Sequence, residues 1–353
     1  MLFTLHIALR LAVGLAGGLL VITTVSAAIR SFVLPRNESV RLNAFVFGGV
    51  RALFNFAARH ARTYARRDRI LSHYAPVGLV ALPIGWLALV ALGYTAIYWA
   101  LGAGSLAASY ELSGNSLLTL GTAREIPLVI NAFIYSEATL GLLLLTLLIS
   151  YLPTIYQAFS RREVVVAQLE LRAGVPASAC GLLLWLGHDH DFLNDDEHWL
   201  AWEKWLVEID ESHTSLPVMA FFRSPQAGRS WVTAIGLVLD AANLLFSTLD
   251  VPHSRQVELT FTAGCLALSR IHRFFDHKAE TQPTELRSGP EQAAAAPGRA
   301  AFAETWQQIQ TAGLPMRPDE EAAWQHYHER RQRYAPALDF MSKLLMAPNP
   351  ASK

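Results

Sequence analysis

The stretch "SGNSLLTLGTAREIP", residues 113–127, lies between two long apolar segments of the chain. It is too short and too polar to cross a bilayer, which takes about 20 predominantly apolar helical residues. It is therefore either a plain loop or a piece of chain that turns back into the membrane. The segments on both sides of it bear on the choice between these two interpretations.

The composition indicates that part of the chain lies in lipid. The 353 residues are 52% hydrophobic, with a mean hydropathy of +0.26, which is more apolar than one soluble core usually needs. The formal net charge is zero, so nucleic acid is not an expected partner. Cys180 and Cys265 have no paired spacing, which indicates neither a disulfide framework nor a structural zinc site.

Three apolar runs are long enough to cross a membrane: residues 11–29, 75–104 and 126–159. The first predicts an N-terminal transmembrane helix over residues 1–33, in which Gly14 and Gly18 form a small-residue pair for close helix contact. A cleaved secretory signal is the alternative, although the run is longer than a usual signal core. In the second run, four aromatic residues suit the membrane interfaces: Trp86, Tyr94, Tyr98 and Trp99.

The arginine distribution predicts the orientation. Nine arginines and only two acidic residues separate the first two runs, and Arg161, Arg162 and Arg172 follow the third. Cytoplasmic flanks carry an excess of basic residues, so residues 105–125 should lie outside. We expect a multi-pass protein of the bacterial plasma (inner) membrane with its C-terminal part in the cytoplasm.

The basic linker, residues 34–74, contains a candidate amphipathic helix. Phe47, Val50, Phe54 and Ala57 recur at three- and four-residue spacing, with arginines on other faces. Such a helix suits the inner headgroup layer, where anionic lipids would attract it. A solvated basic loop is the alternative.

Residues 105–118 of the outer segment suit a short helix, and Thr119, Leu120 and Gly121 follow it directly. A helix followed by a short extended segment exposes backbone carbonyls that can replace the hydration shell of an ion. Irregular chain at membrane depth is tolerated only where it lines a cavity or is enclosed by protein.

Residues 75–162 resemble the two-helix pore domain of the potassium channel superfamily. The resemblance rests on Ser113 and "NSLLTLG": Thr119, Leu120 and Gly121 match the first half of that family's Thr-Val-Gly-Tyr-Gly-Asp filter. It implies a homotetramer with a re-entrant pore loop, a filter over residues 119–123 and monovalent cations as permeating ions, potassium first. Thr122, Ala123 and Arg124 depart from the second half, which puts potassium selectivity in question.

The third run contains three residues that suit a pore. Gly141 and Pro153 are candidate gating hinges, because each weakens or kinks a helix, although both residues are common in membrane helices. Glu137 is an expensive intramembrane carboxyl. Either it supports the filter through Arg124 or backbone amides, or it is a protonated group packed between helices.

The remaining chain has a soluble pattern. It predicts a helical cytoplasmic domain over residues 161–275, a flexible linker over 276–299 and helices over 300–353, with Trp231–Leu249 as a core helix. "YLPTIYQAFSRRE" extends the resemblance to bacterial pore-domain proteins with a helical cytoplasmic part. His188, His190 and His198 are weak candidates for a metal site or pH sensor, against a plain capped helix start.

The sequence thus predicts an all-α membrane protein with three transmembrane helices, a re-entrant pore loop over part of the pore domain (residues 75–160) and a helical cytoplasmic domain. The predicted function is a cation channel without cofactors. The alternative is a non-conducting membrane sensor or scaffold with the same pore fold. No catalytic constellation stands out, so an enzyme is not expected.

Overall fold

A computed structural model describes residues 2–32, 41–59, 64–121, 126–188, 196–226, 228–279 and 298–347. The prediction of an all-helical chain is confirmed for these residues, which contain helices and one isolated bridge between Leu249 and Met316 but no strand. The chain divides into two compact units, Met1–Tyr156 and Gln157–Lys353, and each is described by itself.

The helices of the first unit are α1 (Leu2–Phe32), α2 (Arg41–Arg59), α3 (Tyr64–Ser72), α4 (Tyr74–Ala100), α5 (Leu106–Leu117) and the first part of α6 (Leu128–Ala173). The second unit contains the end of α6, α7 (Ala179–Leu186), α8 (Asp196–Ser215), a 3₁₀ turn (Pro217–Phe221), α9 (Trp231–Thr248), α10 (Arg255–Ala279), α11 (Arg299–Thr311), α12 (Glu320–Arg331) and α13 (Ala335–Leu345).

Four helical segments of the described chain are long and apolar enough to cross a membrane: Thr4–Ser31, Arg69–Ala100, Leu128–Ala173 and Trp231–Thr248. The protein therefore has the helices of a multi-pass membrane protein. The fourth segment, α9, differs from the others because 83% of its apolar window is buried within the protein, against 17% for α6. A helix that is already covered by protein has little surface left for lipid.

Helices α1 and α4 pack through small residues. A side chain added at Gly17 would meet the Gly93 carbonyl oxygen at 2.5 Å and the Ala96 Cβ at 2.9 Å. Gly14 makes a similar approach to Ala100, so the two helices run antiparallel. The sequence predicted that Gly14 and Gly18 form the close contact. The prediction was wrong for Gly18, because nothing lies within 4 Å of a Cβ built there.

The basic linker forms α2, which packs along α4. The ring of Phe47 covers Gly78, and Phe54 meets Tyr74 edge to face with ring centroids 6.1 Å apart. Phe47 and Phe54 belong to the face that the sequence assigned to headgroups, so this assignment was wrong. The exposed apolar side chains of α2 are on the other side and include Phe45 and Leu53.

The second unit is built around α9. This helix carries two polar side chains that bond to the C-terminal helices: Asn243 donates to the Tyr327 carbonyl oxygen at 2.8 Å, and Asp240 accepts from Tyr334 and Arg331. Buried aromatic residues fill the space around it, among them Trp199, Trp231 and Phe261. The two polar residues that interrupt the apolar pattern of α9 thus fix its neighbours.

The α1–α4 contact gives a matched test on neighbouring glycines. Gly17→Val should overpack the contact and cost about 1–3 kcal/mol, which lowers the midpoint of thermal unfolding in detergent. Gly18→Val is the control, since an added Cβ there meets open space. An equal loss of stability in both variants would contradict this packing.

Candidate functional site

The site predicted by the opening stretch begins with α5, which has a defined start and end. The Ser105 side chain caps its first turn by accepting from the Ala108 amide at 3.2 Å. At the other end, the Thr119 amide donates to the Ser116 carbonyl (3.0 Å) and the Leu120 amide to that of Asn115 (2.8 Å). These two bonds form a Schellman motif, which ends the helix at Leu117.

The Schellman motif places Thr119 in a strained conformation. Its φ is 56°, in the left-handed region that glycine normally occupies at this position. For a residue with a Cβ this conformation costs about 1–2 kcal/mol. Gly121, two residues later, has a φ of 79°, where glycine carries no such cost.

Helix α5 lies between α4 and α6 and ends beside the first third of α6. The Leu117 carbonyl oxygen is only 2.6 Å from where a Cβ of Gly141 would be. Gly141 is 141 − 128 = 13 residues from the start of α6, about 20 Å along the helix at 1.5 Å per residue. The absence of a side chain at Gly141 is what allows this approach.

The three helices are joined by the carboxyl group of Glu137, which is 0% exposed. The Tyr98 hydroxyl of α4 donates to one carboxyl oxygen at 2.8 Å, and the Ser113 hydroxyl of α5 lies 2.5 Å from the other. Nearby, the Tyr94 and Ser136 hydroxyls are 2.8 Å apart. Each carboxyl oxygen therefore has a partner from a different helix.

The face of α6 that points away from α4 and α5 carries hydroxyl groups. Its packed face contains the buried Ile130, Glu137, Gly141 and Leu144. On the opposite side of the helix, by 100° per residue, lie four exposed residues that we call the hydroxyl stripe: Tyr135, Thr139, Thr146 and Ser150. The Thr139 and Ser150 hydroxyls bond to carbonyls of their own helix, and the exposed Leu142 and Leu143 border the stripe.

The predicted filter and hinge residues have mixed positions. Thr119, Leu120 and Gly121 are exposed, while Thr122, Ala123 and Arg124 lie outside the described residues. Gly141 and Pro153 are both within α6, which is continuous from Leu128 to Ala173. The contact seen at Gly141 is close packing against α5.

Sequence reasoning missed the partners of Glu137. It assigned Tyr98 and Tyr94 to the membrane interface, and for Glu137 it left open a contact with Arg124 or backbone amides or a protonated group packed between helices, without naming these hydroxyls. Tyr98 is fully buried, as is Trp86, so the interface assignment of these aromatic residues was wrong. The available signal was the four-residue spacing of Tyr94 and Tyr98, which places two hydroxyls on one face of an otherwise apolar helix.

The candidate metal histidines are not brought together. His188 is exposed after α7, and His198 packs against the Trp185 ring with centroids 5.0 Å apart. His190 lies outside the described residues. Among the residues that the structure describes, no group of three histidine, cysteine or acidic side chains has a metal-binding arrangement.

The second unit contains a buried histidine that the sequence did not single out for this role. Arg162 donates to the Met219 and Phe222 carbonyls at 2.9 and 2.6 Å, and its Nη1 lies 3.2 Å from His213 Nε2. The other imidazole nitrogen is 3.0 Å from the Ile209 carbonyl oxygen. Burial, and then the charge of Arg162, lowers the pKa of His213 well below its usual range.

Comparisons with known proteins give no further guide to the site. No protein-family model, characterised protein or solved structure matches the chain. The functional argument therefore depends on the geometry described above.

The Glu137 contact predicts a stability effect in α5. Ser113→Ala removes one partner of a buried carboxyl group and should cost about 1–3 kcal/mol, measured as the free energy of unfolding by sodium dodecyl sulfate with circular dichroism. Thr23→Ala is the control, because that hydroxyl is exposed and bonds only within α1. A loss no greater than that of the control would show that the network does not hold α5.

The Arg162–His213 contact predicts a pH dependence. The pKa of His213 is lower in the folded chain than the unfolded value of about 6.5, so below that pH the unfolded chain binds the extra proton. Stability is therefore retained above about pH 6.5 and lost as the pH falls, by at most ~1.4 kcal/mol per pH unit. His213→Gln should flatten this loss.

The measurement is the thermal midpoint between pH 7.5 and 5, at steps of about half a unit, followed by tryptophan fluorescence. Seven of the nine tryptophans lie in the second unit. His188→Gln, at an exposed position, is the control. Identical slopes for wild type and His213→Gln would refute the role of this histidine.

Proposed function

We propose that the chain is one subunit of an oligomeric membrane channel that conducts monovalent cations, potassium first, through the segment after α5. The observation that carries this proposal is the position of the end of α5 beside Gly141. The resemblance to the potassium channel superfamily suggests four identical subunits.

The geometry of α5 favours a re-entrant segment over a plain loop. Its 12 residues span about 18 Å, which is too short for a hydrocarbon core of about 30 Å. Its C-terminal end nevertheless lies about 20 Å along α6 from the start of that helix. The described ends of this connection, Leu117 and Leu128, are therefore separated by about 20 Å along α6, the distance over which a pore loop would return.

The residues after α5 suit an ion path. Thr119 has a strained positive φ of 56°, and strained backbone of this kind is concentrated at functional sites. The Schellman bonds use the Thr119 and Leu120 amides, which leaves carbonyl and hydroxyl oxygens of residues 119–121 for a cation. Ala123 in place of the family's second filter glycine and Arg124 in place of its aspartate predict weaker potassium selectivity.

The hydroxyl stripe supports a central pore lined by α6. One face of α6 is used for contacts within the chain, and the opposite face carries Thr139, Thr146 and Ser150. A water-filled axis between subunits would add water as a partner for these hydroxyls, of which those of Thr139 and Ser150 already bond to carbonyls of α6.

Lipids are the second proposed partner. The exposed face of α2 with Phe45 and Leu53 belongs to a helix packed on α4, and the linker around it is rich in arginine. This combination suits the inner leaflet of the bacterial plasma membrane and its anionic headgroups. The same charge asymmetry predicts that the second unit lies in the cytoplasm.

The test is ion flux through the full-length protein in liposomes, comparing potassium with sodium. Wild type should conduct, and Gly121→Asp should abolish flux because aspartate is strained at a φ of 79° and adds charge to the path. Thr146→Cys should conduct until a water-soluble thiol reagent blocks it.

Leu152→Cys is the matched control, because Leu152 is also exposed on the same helix but lies about 120° around it from Thr146. Its flux should not respond to the reagent. Absence of flux in wild type under all ionic conditions and voltages would favour the non-conducting sensor or scaffold. Equal block at both positions would remove α6 from the pore.

A further inference from the structure

The outer surface of the second unit contains a short apolar strip between α8 and α10. Its members are Leu200 and Val207 of α8 and Leu259 and Leu266 of α10, with exposed fractions of 40%, 54%, 43% and 48%. Single exposed apolar residues are ordinary on a protein surface. This set differs because both pairs have a seven-residue spacing, which keeps each pair on one face of its helix.

The four side chains flank the seam where the two helices meet. The side chains of Glu203 and Asp210 on α8 bond to α10. Leu200 lies three residues before Glu203, and Val207 lies three residues before Asp210. The partners of those bonds on α10 are Gln256 and Arg270. Leu259 lies three residues after Gln256, and Leu266 lies four residues before Arg270. Each exposed apolar residue is thus about one helical turn from the seam contacts.

The cross-helix bonds also fix the relative levels of the two helices. Asp196 accepts from Ser254 at 2.9 Å, the Trp199 carbonyl from Thr260 at 2.9 Å, and Asp210 from Arg270 at 2.5 Å. Residue numbers rise together, so α8 and α10 are parallel; the offset is 58–61 residues for these three bonds and 53 for the bond between the long side chains of Glu203 and Gln256. An offset of 59 places Leu200 level with Leu259 and Val207 level with Leu266.

Charges of opposite sign border the strip. On α8 the exposed Glu197 and Glu211 lie beyond its two ends, and on α10 the exposed Arg255 and Arg273 lie near the same levels. The α8 border is acidic at both ends and the α10 border is basic at both ends. The surface is therefore complementary to itself if α8 of one copy faces α10 of another.

We propose that this strip is a contact between two copies of the chain, related by a twofold axis parallel to α8 and α10. Such an axis keeps the levels unchanged and exchanges the helices, so Leu200 meets the second copy's Leu259 and Val207 meets its Leu266. Glutamates then face arginines at both ends. The other twofold, across the helices, would place α8 on α8 with acidic ends opposed, which is unfavourable.

The strip is small for a stand-alone dimer, which usually buries about 1,000 Å² or more. We therefore expect the contact to form between copies that share a membrane, where the effective concentration is high. The proposal goes beyond the proposed channel and does not depend on conduction. Its test measures proximity and not flux, so either proposal can fail alone.

The experiment is disulfide cross-linking of the full-length protein in liposomes. Copies with Val207→Cys and one affinity tag are mixed with Leu266→Cys copies that carry a second tag, and a mild oxidant is added. A covalent product with both tags is expected. Cys180 and Cys265 are buried and stay in all variants. Leu171→Cys, at an exposed position in the same unit, replaces Val207→Cys in the control and should give no product.

Charge reversal tests the twofold axis. Glu197→Arg with Glu211→Arg in both copies should lower the two-tag product about tenfold, since like charges then oppose each other. Adding Arg255→Glu and Arg273→Glu should restore it. The proposal is overturned by absence of the two-tag product, by equal product from the Leu171→Cys control, by products that join Val207→Cys to itself, or by a failed restoration.

Discussion

The arrangement of the first unit depends on one buried carboxyl group. A carboxyl group without hydrogen-bond partners in an apolar interior costs several kcal/mol, so Glu137 must be met by polar groups from whatever surrounds it. The groups that meet it are the hydroxyls of Tyr98 and Ser113. Since these belong to α4 and α5, the need to satisfy one side chain of α6 selects which faces of three helices come together.

The position of α5 then follows from one glycine-dependent contact and one strained residue. Gly141 admits the Leu117 carbonyl, which sets how far α5 reaches along α6. The Schellman motif stops the helix there and leaves Thr119 in a conformation that suits glycine better. Strain at Thr119 is compatible with a folded chain only because other contacts hold α5 in place, namely those of Ser113 with Glu137 and of Leu117 with Gly141.

Part of this arrangement is predictable from the sequence. Helical content, the long apolar helices and the short helix before Thr119 follow from run length and from the residues between runs. The contacts that apolar helices make with one another are not predictable in this way. A helix that is apolar on every side has no preferred face in its sequence pattern, so the pattern does not separate Gly17 from Gly18 or identify Tyr98 as a partner of Glu137. The two faces of α2 show the same difficulty, since both contain phenylalanine.

Helix α9 has a consequence for biosynthesis. It is apolar enough to cross a membrane, and it leaves the ribosome long before α12 and α13, which later cover it. Asp240 is the tenth of its 18 residues, near the centre, where an aspartate disfavours insertion by the translocon by about 2.5–3.5 kcal/mol. The carboxylate that bonds to Tyr334 and Arg331 in the finished fold thus also disfavours insertion of this segment into the bilayer while the rest of the chain is still being made.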